Sequence, residues 1–263
     1  MRFTPRHSVL LLLVATLPVE VDVPPAPHDR SETTVRFYGG GGQYALVGRG
    51  CDAPPPGAAT FGEVGAAVQH RARNAMTVGV DGAYVRDEVL REPGVPLIGA
   101  PATPALTERR NVFAISPHLG WEPKWVGLEV GVLAADAPLH TGDLADWWDG
   151  EVRFAPAGHL RLGSTRSIYT TVSFLDRVPL YSASYLQFGV GYGGFEKVQS
   201  WVGLGAVGPN DGAGFLGKVD VTLSPRWTLN TDIRLGSSEG IDENAAAVGL
   251  TVHHVSAPAS DVR

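Results

Sequence analysis

The sequence predicts an all-β fold, a closed antiparallel transmembrane β-barrel of about 12 strands. Three observations lead there. Residues 215–235 alternate apolar and polar side chains with a period of two across a tight turn, so each strand has one greasy and one polar face. Nearly every other strand-like segment repeats that pattern, and the connections alternate between short and long. Glycine makes up 33 of the 263 residues, and no helix-period segment competes with the strands.

The totals exclude several classes. A formal charge of -6 and a pI near 5.7, with no basic run, argue against a nucleic-acid partner. Cys51, the single cysteine, forms no disulfide within the chain, and its Pro-rich loop offers no metal partner. Past the first twenty residues no apolar run reaches the ~18 residues of a spanning helix. A barrel needs none, because its lipid face appears only at every second residue.

Taken in order, Arg2, Arg6 and His7 precede the apolar run 9–17, a charged segment followed by a signal-peptide core. Residues 1–30 are read as a signal peptide and leader, 31–255 as the barrel, and 256–263 as a polar tail. The first strand, 33–44, runs into four glycines from Gly39 to Gly42. No Lys-Ser or Lys-Thr follows, so they read as a closely packed strand rather than a phosphate loop.

Residues 61–70 and 75–86 form the next pair, joined by the turn 71–74. With Val68 facing Met76, this register sets Glu63 opposite Asp81. After the long loop 87–110, Phe113, Ile115, Leu119 and Trp121 share a face, and Val126, Leu128, Val130 and Val132 return behind Glu122-Pro123-Lys124. The loop 136–150 precedes Phe154, Leu160 and Leu162, which are backed by Arg153, His159 and Arg161. Ser164 to Arg166 then turns the chain into Ile168, Thr170 and Val172. Leu186, Phe188 and Val190 form strand eight, and Val198, Val202 and Leu204 form strand nine. Connections 208–214 and 236–243 flank the two strands of residues 215–235, and Val248, Leu250 and Val252 mark the last strand.

Over residues 33–255 this pattern resembles the outer-membrane β-barrel proteins of Gram-negative-type bacteria, in architecture rather than through any catalytic motif. The resemblance implies short periplasmic turns, longer extracellular loops and both termini on the periplasmic side. It implies outer-membrane lipids and the barrel assembly machinery as partners. It departs from the pattern at the end of the last strand, where His253 and His254 replace the terminal aromatic such proteins often carry.

Parity puts eleven charged or titratable side chains on the inward face: Arg36, Glu63, Asp81, Glu129, Arg153, His159, Arg161, Lys218, Asp220, Asp232 and Arg234. Lys218 falls opposite Asp232. Inward glycines at 127, 131, 189, 191, 203 and 205 leave room along one arc unless opposing side chains fill it. Trp121, Trp125, Phe195 and Trp227 lie beside short turns, as a periplasmic aromatic girdle requires.

No cofactor and no metal site is expected. Asp143, Asp146 and Asp149 form a calcium candidate that loop solubility explains more simply. His159 faces Thr171 in the expected register with Ser173 one step further, which leaves no matched Ser–His pair. The leading functional reading is a non-enzymatic small-solute pore or structural envelope protein with a charge-lined lumen. The alternatives are a barrel hydrolase for lipid or peptide at the outer rim, and an adhesion barrel acting through its loops.

Overall fold

In the computed structural model the described residues are 31–46, 57–91, 106–135, 153–174, 186–207, 212–238 and 241–256. The leader 1–30, Cys51, the loop 136–152 with its aspartates, and the end of the polar tail lie outside them.

The alternating segments become twelve strands: β1 (Glu32–Leu46), β2 (Gly57–Arg71), β3 (Met76–Arg91), β4 (Leu106–Trp121), β5 (Val126–Ala135), β6 (Arg153–Gly163), β7 (Ile168–Phe174), β8 (Leu186–Tyr192), β9 (Val198–Val207), β10 (Gly212–Ser224), β11 (Trp227–Ser238) and β12 (Ile241–Val255). Each pairs antiparallel with its sequence neighbours, and β1 pairs with β12 from Glu32↔Val255 to Leu46↔Ile241. The barrel is closed, so every strand has a partner on each side.

The period of two settles which face each side chain takes. Outward go Phe37, Val64, Val78, Val80, Ile115, Leu119, Leu128, Val130, Val190, Val202, Val219 and Leu250, all exposed. On β3 the outward apolar residues run from Met76 to Tyr84 before Arg86 and Glu88. On β4 they run from Trp121 back to Phe113 before Asn111 and Arg109. Those bands match the roughly 9–11 tilted residues that cross a hydrocarbon core.

The strands reach further toward the long-loop end than alternation alone suggested. β3 and β4 stay paired out to Arg91↔Leu106, beyond the apolar band, because ladder hydrogen bonds do not depend on an apolar face. The last two connections at that end shrink to residues 208–211 and 239–240, so the long-loop rule fails after β9 and β11. β10, β11 and β12 extend into the stretches 208–214 and 236–243 that the sequence sets as connections.

Two registers also differ from expectation. In the β2–β3 hairpin Arg71 pairs with Thr77, so Glu63 faces Val85 and Asp81 faces Ala67, and the two carboxylates are not cross-strand neighbours. The cause is the turn. Ala75 adopts φ 65, and the Ala72 and Ala75 amides donate to Met76 O and Ala72 O, which tightens the reversal. In the β6–β7 hairpin His159 pairs with Ser173, and Arg161 with Thr171. Both slips move a pairing by an even number, so every side chain keeps its expected face.

Candidate functional site

The inward face builds the site. Ten of the eleven predicted residues have described side chains there; Arg153 opens β6 opposite Ala135, and its side chain is not described. Arg36 Nη2 donates to Asp232 Oδ2 at 2.6 Å across β12. The Tyr38 hydroxyl donates to Glu63 Oε1 at 2.7 Å. Asp81 Oδ2 lies 3.2 Å from His118 Nδ1, and Glu129 Oε2 lies 3.8 Å from His118 Nε2 and 3.4 Å from Gln69 Nε2. Asp220 accepts from Asn230 Nδ2 at 2.7 Å. Asn230 Oδ1 in turn accepts from Thr251 Oγ1 at 2.6 Å. These bonds stitch non-adjacent as well as adjacent strands, as buried charges require.

Lys218 sits opposite Asp232 in register, as expected. The carboxylate reaches Arg36, while Lys218 Nζ lies 5.3 Å from the centre of the Trp201 ring, a cation–π arrangement. Arg161 turns its guanidinium toward the short turns and donates to the carbonyls of Pro123, Val126 and Gly163. It therefore ties the β4–β5 turn to the end of β6.

The inward glycines do not leave an open arc. The Trp201 ring lies against Gly189 and Gly203, Tyr169 against Gly191, and His118 against Gly131. Between β1 and β2, Tyr38 covers its cross-strand partner Gly65. At Gly189, Gly191 and Gly65 the missing Cβ accepts a ring from the neighbouring strand, which lets large side chains lie flat on the wall. Gly40 is likewise pressed against Ala246 and Ala247 of β12, so the glycine run in β1 serves close packing.

Height along the barrel separates two environments. Toward the long-loop end, Phe61, Val85, Val112, Leu133 and Leu216 point inward and are buried, Leu133 completely at 0% exposure. Sequence reading missed this set because it followed the polar face alone. The signal was present where alternation gives way to unbroken apolar runs, as in Val112-Phe113-Ala114-Ile115 and Val132-Leu133-Ala134-Ala135.

Toward the short-turn end, a polar cavity of about 230 Å³ opens inside the barrel. Its lining includes Glu122 of a short turn, His159, Arg161, Ser173, Gln187, Trp201, Lys218 and Asp220. Here His159 Nδ1 and Ser173 Oγ meet at 2.8 Å. Gln187, at 1% exposure, carries a side-chain nitrogen with no hydrogen-bond partner among the described residues. His118, Gln187, Tyr169 and Trp201 were absent from the expected site, although parity places all four inward.

Trp121, Trp125, Phe195 and Trp227 are exposed beside the short turns. Lys124 Nζ stacks 5.1 Å from the Trp125 ring, and Phe195 meets Tyr192 edge-on at 5.1 Å. Among the described residues no group of His, Cys, Asp and Glu has metal-binding geometry.

The class that fold and surface define is the closed antiparallel β-barrel of the membrane-spanning type: twelve strands closed on themselves, apolar outside, with both charged and apolar side chains buried within. No family model matches the chain, and no curated protein does. Solved structures with a similar fold include a KdgM porin in complex with disordered oligogalacturonate, at 10% identity and TM-score 0.48, covering 83% of this chain and 98% of that one. A mutant Rh. blastica porin is 10% identical with TM-score 0.34, covering 84% of this chain and 100% of its own. The transport unit of the autotransporter AIDA-I from Escherichia coli is 10% identical with TM-score 0.41, covering 89% and 93%. Likenesses this distant carry no functional argument, and the barrel class rests on this chain's own strands.

Proposed function

We propose that this protein resides in a bacterial outer membrane and gives small hydrophilic solutes a narrow, charge-lined path through its lumen. The observation that carries the reading is the cavity beside Arg161, Lys218 and Asp220, which keeps polar volume inside a closed wall. A path of this width discriminates by charge, since mixed-sign side chains in a low-dielectric enclosure act strongly on a passing ion. Passage itself requires no chemical step. In this reading Trp121, Trp125, Phe195 and Trp227 anchor the barrel at the periplasmic interface, and outer-membrane lipids and the barrel assembly machinery are its partners.

A second reading, a structural envelope barrel, is favoured by the buried inward set Val85, Val112, Leu133 and Leu216. Side chains so fully removed from water narrow the long-loop half of the lumen.

Planar-bilayer recording separates the two. The pore reading expects discrete conductance steps whose ion selectivity changes in Lys218→Ala/Asp232→Ala protein. Closed behaviour in both wild type and variant removes it and leaves the structural reading.

A further inference from the structure

One row of inward side chains has more chemistry than a wall needs. Glu129 on β5 is the direct cross-strand partner of His159 on β6. His159 pairs with Ser173 on β7, and Ser173 pairs with Gln187 on β8. Direct partners hold their Cβ atoms about 4.5–5.5 Å apart, so the four side chains form a contiguous line. One of its links is a hydrogen bond, His159 Nδ1 to Ser173 Oγ at 2.8 Å, and at the end of the line the buried Gln187 Nε2 has no hydrogen-bond partner among the described residues. An unused amide donor in such a place is costly unless something binds it, at about 1–3 kcal/mol. Ser173, His159 and Gln187 all line the 230 Å³ cavity, with the Gln187 amide nitrogen itself buried in its wall.

We infer that Ser173, His159 and Gln187 form an acyl-transfer site facing the lumen, which hydrolyses short-chain carboxylic esters admitted from the short-turn end. Ser173 supplies the nucleophile and His159 the general base, within the hydrogen-bond reach that this chemistry needs. Gln187 supplies the donor for the oxyanion by turning its buried amide toward the cavity. Glu129 on β5, the direct cross-strand partner of His159, is a positioning residue for the imidazole.

The step balances without a cofactor. Ser173 Oγ bonds to the ester carbonyl carbon as its proton passes to His159 Nδ1, and the carbonyl electron pair moves onto oxygen facing Gln187 Nε2. Collapse breaks the bond to the alkoxy group, which leaves with the proton from His159. Water then repeats the sequence on the acyl-serine, giving acid and free enzyme, so ester and water become acid and alcohol. The small cavity limits the acyl part to a few carbons, unlike a lipid-facing site open to long chains.

The test uses full-length protein refolded in detergent, with folding verified by heat-modifiable gel mobility. A small fluorophosphonate should add one phosphonyl group to wild type, mapped to Ser173, and p-nitrophenyl acetate should be hydrolysed above the rate of Ser173→Ala by at least about tenfold. His159→Gln should lose both signals, and Gln187→Ala should lower kcat by about a hundredfold. Glu129→Gln should lower kcat with KM unchanged. Absence of an adduct on folded wild type, or equal hydrolysis by wild type and Ser173→Ala, overturns the inference. Both results are independent of conductance.

Discussion

Arg36 on β1 and Asp232 on β11 meet 2.6 Å apart although β12 lies between their strands. Gly249 of β12 makes the crossing feasible, because a Cβ there would stand 3.0 Å from the Tyr38 side chain and 3.2 Å from Arg36 Nε. The seam between the first and last strands is thus held by the backbone ladder and spanned by an ion pair that reaches over β12 from β1 to β11.

Arg36→Ala should destabilise the refolded barrel by about 2 kcal/mol, the loss of a charge-assisted bond whose Asp232 side chain is only 9% exposed. Urea unfolding in lipid vesicles measures it. A cycle with Asp232→Ala should show the two losses to be strongly non-additive, whereas additive losses would mean that the pair does not brace the seam.

The fit of Trp201 against Gly189 and Gly203 predicts a conditional effect. Gly189→Val should cost about 1–3 kcal/mol in the native background through overpacking. In a Trp201→Ala background most of that penalty should vanish. Equal penalties in both backgrounds would show that the ring does not occupy the glycine.

Two turn residues predict opposite signs for one exchange. Ala75 holds φ 65, where an L side chain is strained, so Ala75→Gly should stabilise by roughly 0.5–1 kcal/mol after the extra unfolded-state entropy is subtracted. Gly163 holds φ 103 with the backbone of Ile168 and Tyr169 against the site of its missing Cβ, so Gly163→Ala should destabilise. Urea midpoints for both variants check the pair.

The girdle is tested by depth. With the other five of the 6 tryptophans replaced by Phe, Trp125 should be quenched most by lipids brominated near the headgroup and least by those brominated at the chain end. Maximal quenching from the chain end would place it at the bilayer centre instead.

Face assignment was legible in the sequence because it depends only on parity. Lys218 and Asp232 were read as neighbours, and they are, since a short Pro-Arg turn leaves β10 and β11 little freedom. The hairpins at Ala75 and Ser164 to Ser167 misled, because the number of residues a turn consumes depends on backbone conformations such as φ 65 at Ala75 that composition does not announce. That two-residue uncertainty concealed the His159–Ser173 contact. The filled glycines were also hidden, since a missing side chain reads the same whether it leaves a void or receives a neighbour's ring. The inward apolar residues Val85, Val112 and Leu133 were visible only where alternation lapsed.

The barrel predicts that one flank of every strand contacts hydrocarbon while the other faces an enclosed interior. A spin-label scan of β10 in vesicles, on a Cys51→Ser background, tests it most directly. Oxygen collision rates should peak at positions 215, 217, 219, 221 and 223 and drop at 216, 218, 220 and 222, following the exposed and inward sets. A flat profile, or one with the peaks at the even positions, would contradict the claim.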